Sequence, residues 1–266
     1  MLRNVFLKSL RDYRRALFWW SVGLLILAVE IMAFFPSVSR TPGLSEFLEQ
    51  APEALIKTFV GEFTDFTSPA GYLNSQLYFF ALPVLFIIFA VAFGSGAIAR
   101  EEDRGTLDLL LSNPLPRWRL LLEKFAAMVV TTLFLGSVLW LGLAVSAAVI
   151  DMDIGYGRLA EAGLSGALLG LVYGSLALAL GSATGNRSLS IGTATALATA
   201  AYFLNALAPL VEGLESWRKA SPFYYFIAAD PLKNGLDPGH VTVLIGLTVV
   251  FLAAALAAFE RRDLST

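Results

Sequence analysis

Glu101 and Glu102 stand side by side, and paired carboxylates are a common starting point for general acid–base chemistry or metal-assisted hydrolysis. Such hydrolysis needs several metal ligands in one place. The chain has one histidine, His240, far along the sequence from the pair, and no cysteine. Thiol catalysis, disulfides and cysteine metal sites are therefore excluded. We expect no catalytic residue, no metal site and no enzymatic activity on this chain. The other route to chemistry would be a phosphate loop, Gly-x-x-x-x-Gly-Lys-[Ser/Thr], and no such run occurs. Lysine and arginine number 19 against 21 acids, and a net charge of −2 predicts no nucleic-acid partner.

The elements that carry these residues follow from composition. Of 266 residues, 57% are apolar and 15% charged. A soluble domain holds about 45–50% and about 25%. One soluble core could not hide this much hydrocarbon, so lipid must solvate much of the surface. Crossing about 30 Å of hydrocarbon takes roughly 20 apolar residues in a helix. Uncharged windows of that length lie at 77–99, 125–150, 162–186, 188–211 and 241–259, and a further window at 16–39 holds a single acid, Glu30. The first window is a poor signal peptide, because it is long, lacks a small-residue cleavage site and follows a basic amphipathic stretch. The prediction is an all-α, polytopic membrane protein: one transmembrane domain, 1–266, with six spans.

Loop charge sets the orientation. With the amino terminus inside, the inner segments carry 13 lysines and arginines and the outer segments 6 (Arg40, Lys57, Arg158, Arg218, Lys219, Lys233). Both termini are expected in the cytoplasm and the chain in the plasma membrane. Two outer segments, 40–76 and 212–240, are too long for simple turns. In the first, Leu44, Phe47, Leu48, Leu55, Ile56 and Phe59 suit short amphipathic helices on the outer leaflet. The second carries Trp217, Phe223, Tyr224, Tyr225 and Phe226, with Pro222 and Pro231 breaking any long helix; a dip part-way into the membrane is compatible with it. Residues 2–15 place Leu2, Val5, Phe6 and Leu10 on one helical face with the basic residues largely elsewhere, as in a helix lying along the anionic inner leaflet or in the basic flank of a membrane helix.

The inner loop 100–124 is the most informative stretch. Leu107, Leu110 and Leu111 fall at i, i+3 and i+4 behind an acidic start, which Asp103 or Thr106 can cap. Pro114 ends that helix, and Pro116 can open the next one at its first position. A plain connection needs neither an apolar stripe nor two helix stops. A short helical elbow projecting into the cytoplasm as a docking element is expected.

At this loop the sequence resembles the permease subunits of type-2 ATP-binding-cassette (ABC) exporters. Their inner loop has paired acids, Gly-Thr-Leu, a run of leucines, a proline, then an arginine and a lysine before the third span. Here those features are Glu101, Glu102, Gly105, Thr106, Leu107, Leu109, Leu110, Leu111, Pro114, Arg117 and Lys124. The resemblance implies that the elbow is a cytoplasmic coupling helix seated in a cleft of a separate ATPase subunit. It also implies two such ATPases, which would bind ATP and magnesium, and a second permease chain, identical or related. Glu101, Glu102 and Arg117 would set the elbow against charges on the ATPase, with Leu107, Leu110 and Leu111 as the apolar contact. The tail from Glu260 to Thr266 is too short to hold a motor of its own.

Other readings compete. The Glu101–Glu102 pair resembles that of membrane-embedded CAAX-type proteases, but these need an arginine four residues after the second acid, where this chain has Thr106, and nearby histidines. An ion-coupled secondary transporter would keep charges within its spans; Glu30 alone lies well inside one, and no internal repeat is evident. A non-transporting structural subunit is the third alternative. Gly166, Gly170 and Gly174 form a small-residue stripe suited to close helix packing. In the family the route runs between the two permeases along spans two and five. Carried over, Phe79, Phe86, Thr199, Tyr202 and Asn205 become candidate path residues, and so apolar a lining suits a hydrophobic or amphipathic cargo.

Overall fold

The computed structural model describes residues 4–39, 68–103, 116–211 and 213–262, and these form helices joined by short turns, with no strand. Among the described residues six helices are long and apolar enough to cross a bilayer. Span 1 is α1 (Val5–Val38). Span 2 begins as α2 (Pro69–Leu73), passes through a π-helical turn (Asn74–Tyr78) and continues as α3 (Ala81–Gly96). A short α4 (Ala99–Asp103) follows it. Spans 3, 4 and 5 are α5 (Arg117–Val149), α6 (Tyr156–Thr184) and α7 (Arg187–Leu207). Two short helices, α8 (Pro222–Ile227) and α9 (Pro231–Asn234), precede span 6, α10 (Pro238–Arg261). The all-α, six-span expectation holds. The coupling elbow, Gly105–Asn113, and most of the first outer segment lie outside the described residues.

Helix starts follow ordinary capping chemistry. Asn4, Ser68, Asn186, Ser221 and Asp237 each accept a backbone N–H near the start of their helix. Proline at the first position of α2, α8 and α10 supplies a pre-set φ where no intrahelical donor is needed. Gly185 ends α6 in the left-handed region at φ 66° and donates to Gly181 O at 2.9 Å.

Two boundaries differ from the sequence expectation. The basic amphipathic residues 5–15 are not a separate interfacial element; they are the first three turns of α1, because neither glycine nor proline interrupts the run into the first span. Span 2 starts at Pro69 rather than at 77, because Ser68 and Pro69 begin a helix that the π-helical turn carries directly into α3.

The centre of the bundle is the parallel pair of α3 and α6. The stripe Gly166, Gly170, Gly174 on α6 meets Leu82, Phe86 and Ala90 on α3, the same four-residue spacing on both sides. A Cβ on Gly170 would stand 2.9 Å from Phe86 Cβ, and one on Gly174 2.8 Å from Ala90 Cβ. Only glycine lets the two backbones approach this far. Around the pair, Leu77, Tyr78, Leu82, Leu135, Leu143 and Leu159 are fully buried, and the outward faces of α1, α5, α7 and α10 carry exposed apolar side chains suited to lipid.

Candidate functional site

Two polar sites stand out on this apolar frame. The first gathers residues from the two sides of segment 104–115, which itself lies outside the described residues. On the leaving side, Glu101 accepts from Lys8 Nζ of α1 at 3.1 Å and from Lys124 Nζ of α5 at 2.9 Å. The Lys124 side chain is only 7% exposed, so this is a desolvated ion pair rather than a solvated one. Glu102 takes both guanidinium nitrogens of Arg262, at 2.6 and 3.0 Å, in a bidentate fork.

On the rejoining side, the first turns of α5 cap both terminal helices. Glu123 Oε2 accepts the backbone N–H groups of Val5 and Phe6 at 2.7 and 3.2 Å, placing a negative charge at the amino end of α1. Six residues earlier, Arg117 donates to the carbonyls of Phe259 and Arg262 at 3.3 and 2.8 Å, placing a positive charge at the carboxyl end of α10. Each sign suits the dipole of the helix it caps. Arg117 also lies over the Phe259 ring, 5.9 Å from its centroid. Both ends of the loop are thus tied to spans 1, 3 and 6, and a polar cleft of about 420 Å³ between Glu102, Arg262 and the 184–188 turn extends the cluster to the junction of spans 4 and 5.

Of the predicted coupling residues, Glu101, Glu102 and Arg117 fall together in this cluster, and their described partners belong to the same chain. Gly105, Thr106, Leu107, Leu110, Leu111 and Pro114 lie outside the described residues. Lys8 and Arg262 lie 93 and 160 positions from the glutamates they meet, and Glu123 lies 117–118 positions from the backbone groups it caps, so no local pattern in the sequence pairs them.

The second site lies at the opposite end of the bundle, where α8 enters it. Phe223, Phe226 and Ile227 are buried. Phe223 packs against Tyr202 of α7 at 5.5 Å and against Tyr173, near the midpoint of α6, at 5.9 Å between centroids. Ser165 on α6 donates to Phe226 O at 2.9 Å, and Ser221 to Ala201 O at 2.8 Å. The aromatic segment therefore dips between spans 4 and 5. It is latched to span 2 by Asn74, which is 1% exposed and donates to Asp230 Oδ1 at 2.8 Å. Asp230 holds a left-handed backbone, φ 48°, at the turn before α9.

The structure brings some predicted path residues together and separates others. Phe79 and Tyr202 face one another at 6.1 Å between centroids, with Phe80 beside them at 5.7 Å from Tyr202. Asn205, one turn on, is buried and accepts from Arg218 at 3.0 Å. Thr199 is exposed on the outer face of α7. Phe86 is 2% exposed and turned onto Gly170, two turns away from Phe79.

Comparison with known proteins agrees with this architecture. The chain is 26% identical over 206 residues to YhcI of Bacillus subtilis (strain 168), described as an uncharacterized protein, in an alignment covering 67% of this chain and 64% of that relative. The chain thus spans less than two thirds of the relative's length. A profile described as ABC-2 family transporter protein matches residues 3–264. With six apolar helices among its described residues and a match over nearly its whole length, this multi-pass membrane chain belongs to the ABC-2 transporter family.

Proposed function

We propose that this chain is the permease half of an ATP-driven exporter in the plasma membrane, with both termini cytoplasmic, carrying a hydrophobic or amphipathic cargo. Two cytoplasmic ATPase subunits bind nucleotide and magnesium and grip the Gly105–Asn113 elbow; a second permease chain completes the path. Closure of the ATPases pushes the elbow, and the spans tilt as rigid bodies to open the dimer interface outward. Glu101, Glu102 and Arg117 act as braces that make the elbow's ends move with spans 1, 3 and 6, so the load does not dissipate in a slack loop.

The observation that carries this reading is the double cap on α5. One short segment beside the elbow holds the amino end of the first span through Glu123 and the carboxyl end of the last through Arg117. On the outer side, the Phe79–Tyr202–Phe223 cluster lies where spans 2 and 5 approach and supplies the apolar lining that suits such a cargo.

The test is Leu110→Asp with Leu111→Asp. Two unpaired charges in a dry contact cost several kcal/mol each. The ATPase should no longer co-purify with the permease, while the chain still inserts and runs as a folded species in detergent. Unchanged ATPase binding and unchanged nucleotide-dependent efflux would refute the elbow's role.

A further inference from the structure

Glu30 is exposed on α1, eight residues before the outer end of that helix at Val38. Among the described residues nothing gives it a hydrogen bond or an ion pair. A carboxylate on a lipid-facing surface within a span is costly unless something meets it, and intramembrane acids mark sites where a charge is used.

What adjoins Glu30 is a groove of about 470 Å³ running down the same stripe of α1, lined by Trp19, Trp20, Gly23, Leu27, Glu30 and, from α3, Leu85. These α1 positions recur at helical spacing and so share one face. Gly23 keeps the floor open, with no heavy atom within 4 Å of where a Cβ would stand. From Trp19 to Glu30 the groove is about 16 Å long at 1.5 Å per residue. Its single charge is at the end nearer the outer surface, and its inward walls are aromatic and aliphatic. This is the polarity of an amphiphile standing in the outer leaflet, head outward and tail toward the bilayer centre. The sign of the charge selects a cation. A second copy packed symmetrically on this face would bring its own Glu30 toward this one, and like charges oppose that arrangement.

We propose that the α1 groove binds amphiphiles bearing one positive charge, the ammonium against the Glu30 carboxylate and the alkyl tail along Leu27, Gly23 and Trp20. The site is separate from the route between spans 2 and 5 and stands whether or not that route carries the cargo.

Trp19 and Trp20 report on occupancy directly. With Trp118, Trp140 and Trp217 replaced by phenylalanine, only these two emit. The chain is placed in nanodiscs of zwitterionic phosphatidylcholine and titrated with ω-bromododecyltrimethylammonium, whose bromine quenches indole fluorescence, and separately with ω-bromododecyl sulfate, which has the same tail and the opposite charge. The cation should reach half-quenching at about tenfold lower mole fraction than the anion, and Glu30→Gln should abolish that preference while leaving the weaker, charge-blind quenching. Equal quenching by the two probes in the parent chain, or a preference that survives Glu30→Gln, overturns the proposal. If the tryptophan replacements impair folding, retention of radiolabelled dodecyltrimethylammonium by the otherwise unaltered chain, with and without Glu30→Gln, reads the same difference. Because the chain has no cysteine, Ile26→Cys gives a unique thiol on this face. Efficient oxidative cross-linking of that thiol into a dimer in the membrane would show the groove covered by a second copy, and would also overturn the proposal.

Discussion

Arg262 closes a two-point ion pair on Glu102 across 160 positions of chain, joining the last helix to the residue at which the inner loop leaves the bundle. Neither side chain is more than a third exposed, at 20% and 29%, so the fork is sheltered without being dry. It lies between the surface pairs that contribute almost nothing and the fully buried ones whose rupture is severe.

Glu102→Gln should therefore destabilise the chain modestly, by about 1–2 kcal/mol, and Arg262→Gln similarly. The informative variant is the exchange, Glu102→Arg with Arg262→Glu. It should recover most of the lost thermal stability and of the ATPase-linked transport in the assembled complex. A double mutant no better than the singles would mean that the pair is incidental.

Glu101 makes a sharper prediction, because the lysines that meet it, Lys8 and Lys124, sit in different surroundings. Lys8 is 34% exposed at the side chain, while Lys124 is 7% exposed. Removing Lys8 loses a half-solvated contact, about 0.5 kcal/mol. Removing the carboxylate with Glu101→Ala strands Lys124 in the interior at about 3 kcal/mol. Detergent melting curves should rank Lys8→Ala close to the parent and Glu101→Ala far below it, and Lys124→Met, introduced with Glu101→Ala, should restore part of the loss.

Gly174 tests the central packing. Its Cβ would stand 2.8 Å from Ala90 Cβ and 3.0 Å from Ala90 O, so even alanine forces α3 and α6 apart. Gly174→Ala should cost about 1–3 kcal/mol. Gly163→Ala, on the same helix with nothing within 4 Å, should be neutral or slightly stabilising, since it trades glycine for the better helix former. Fluorescence-detected size-exclusion after graded heating separates the two.

The latch between Asn74 and Asp230 ties the α8–α9 segment to span 2. Asn74→Asp places two carboxylates at the 2.8 Å donor–acceptor site and should free the α8–α9 segment from span 2. Limited proteolysis from the outside should cut between 221 and 237 faster than in the parent. Asn74→Asp combined with Asp230→Asn restores one donor and one acceptor and should restore resistance.

Much of this protein was legible residue by residue. Uncharged windows sized to the bilayer marked the spans, since in lipid every backbone donor must be satisfied locally and only a helix does so within one segment. Gly166, Gly170 and Gly174 announced a close helix contact, because small residues at four-residue spacing leave a continuous groove. Glu101, Glu102 and Arg117 were visible as charges flanking an apolar elbow. Their distant partners were not, because Lys8 and Arg262 look like the ordinary basic flanks of membrane helices until the bundle closes.

What the chain's linear order determined is thus what depends on local composition: helicity, six apolar stretches long enough to cross a bilayer, and the absence of any phosphate loop. Only the tertiary structure decided that Phe86 turns to Gly170 while Phe79 turns to Tyr202, that the Phe223 segment dips between spans 4 and 5, and that the first two turns of α5 cap both the first helix and the last. The physical reason is range. Solvent transfer acts on each residue by itself and leaves its mark in the sequence, whereas ion pairs and ring contacts act over a few ångströms and join residues that only packing brings together.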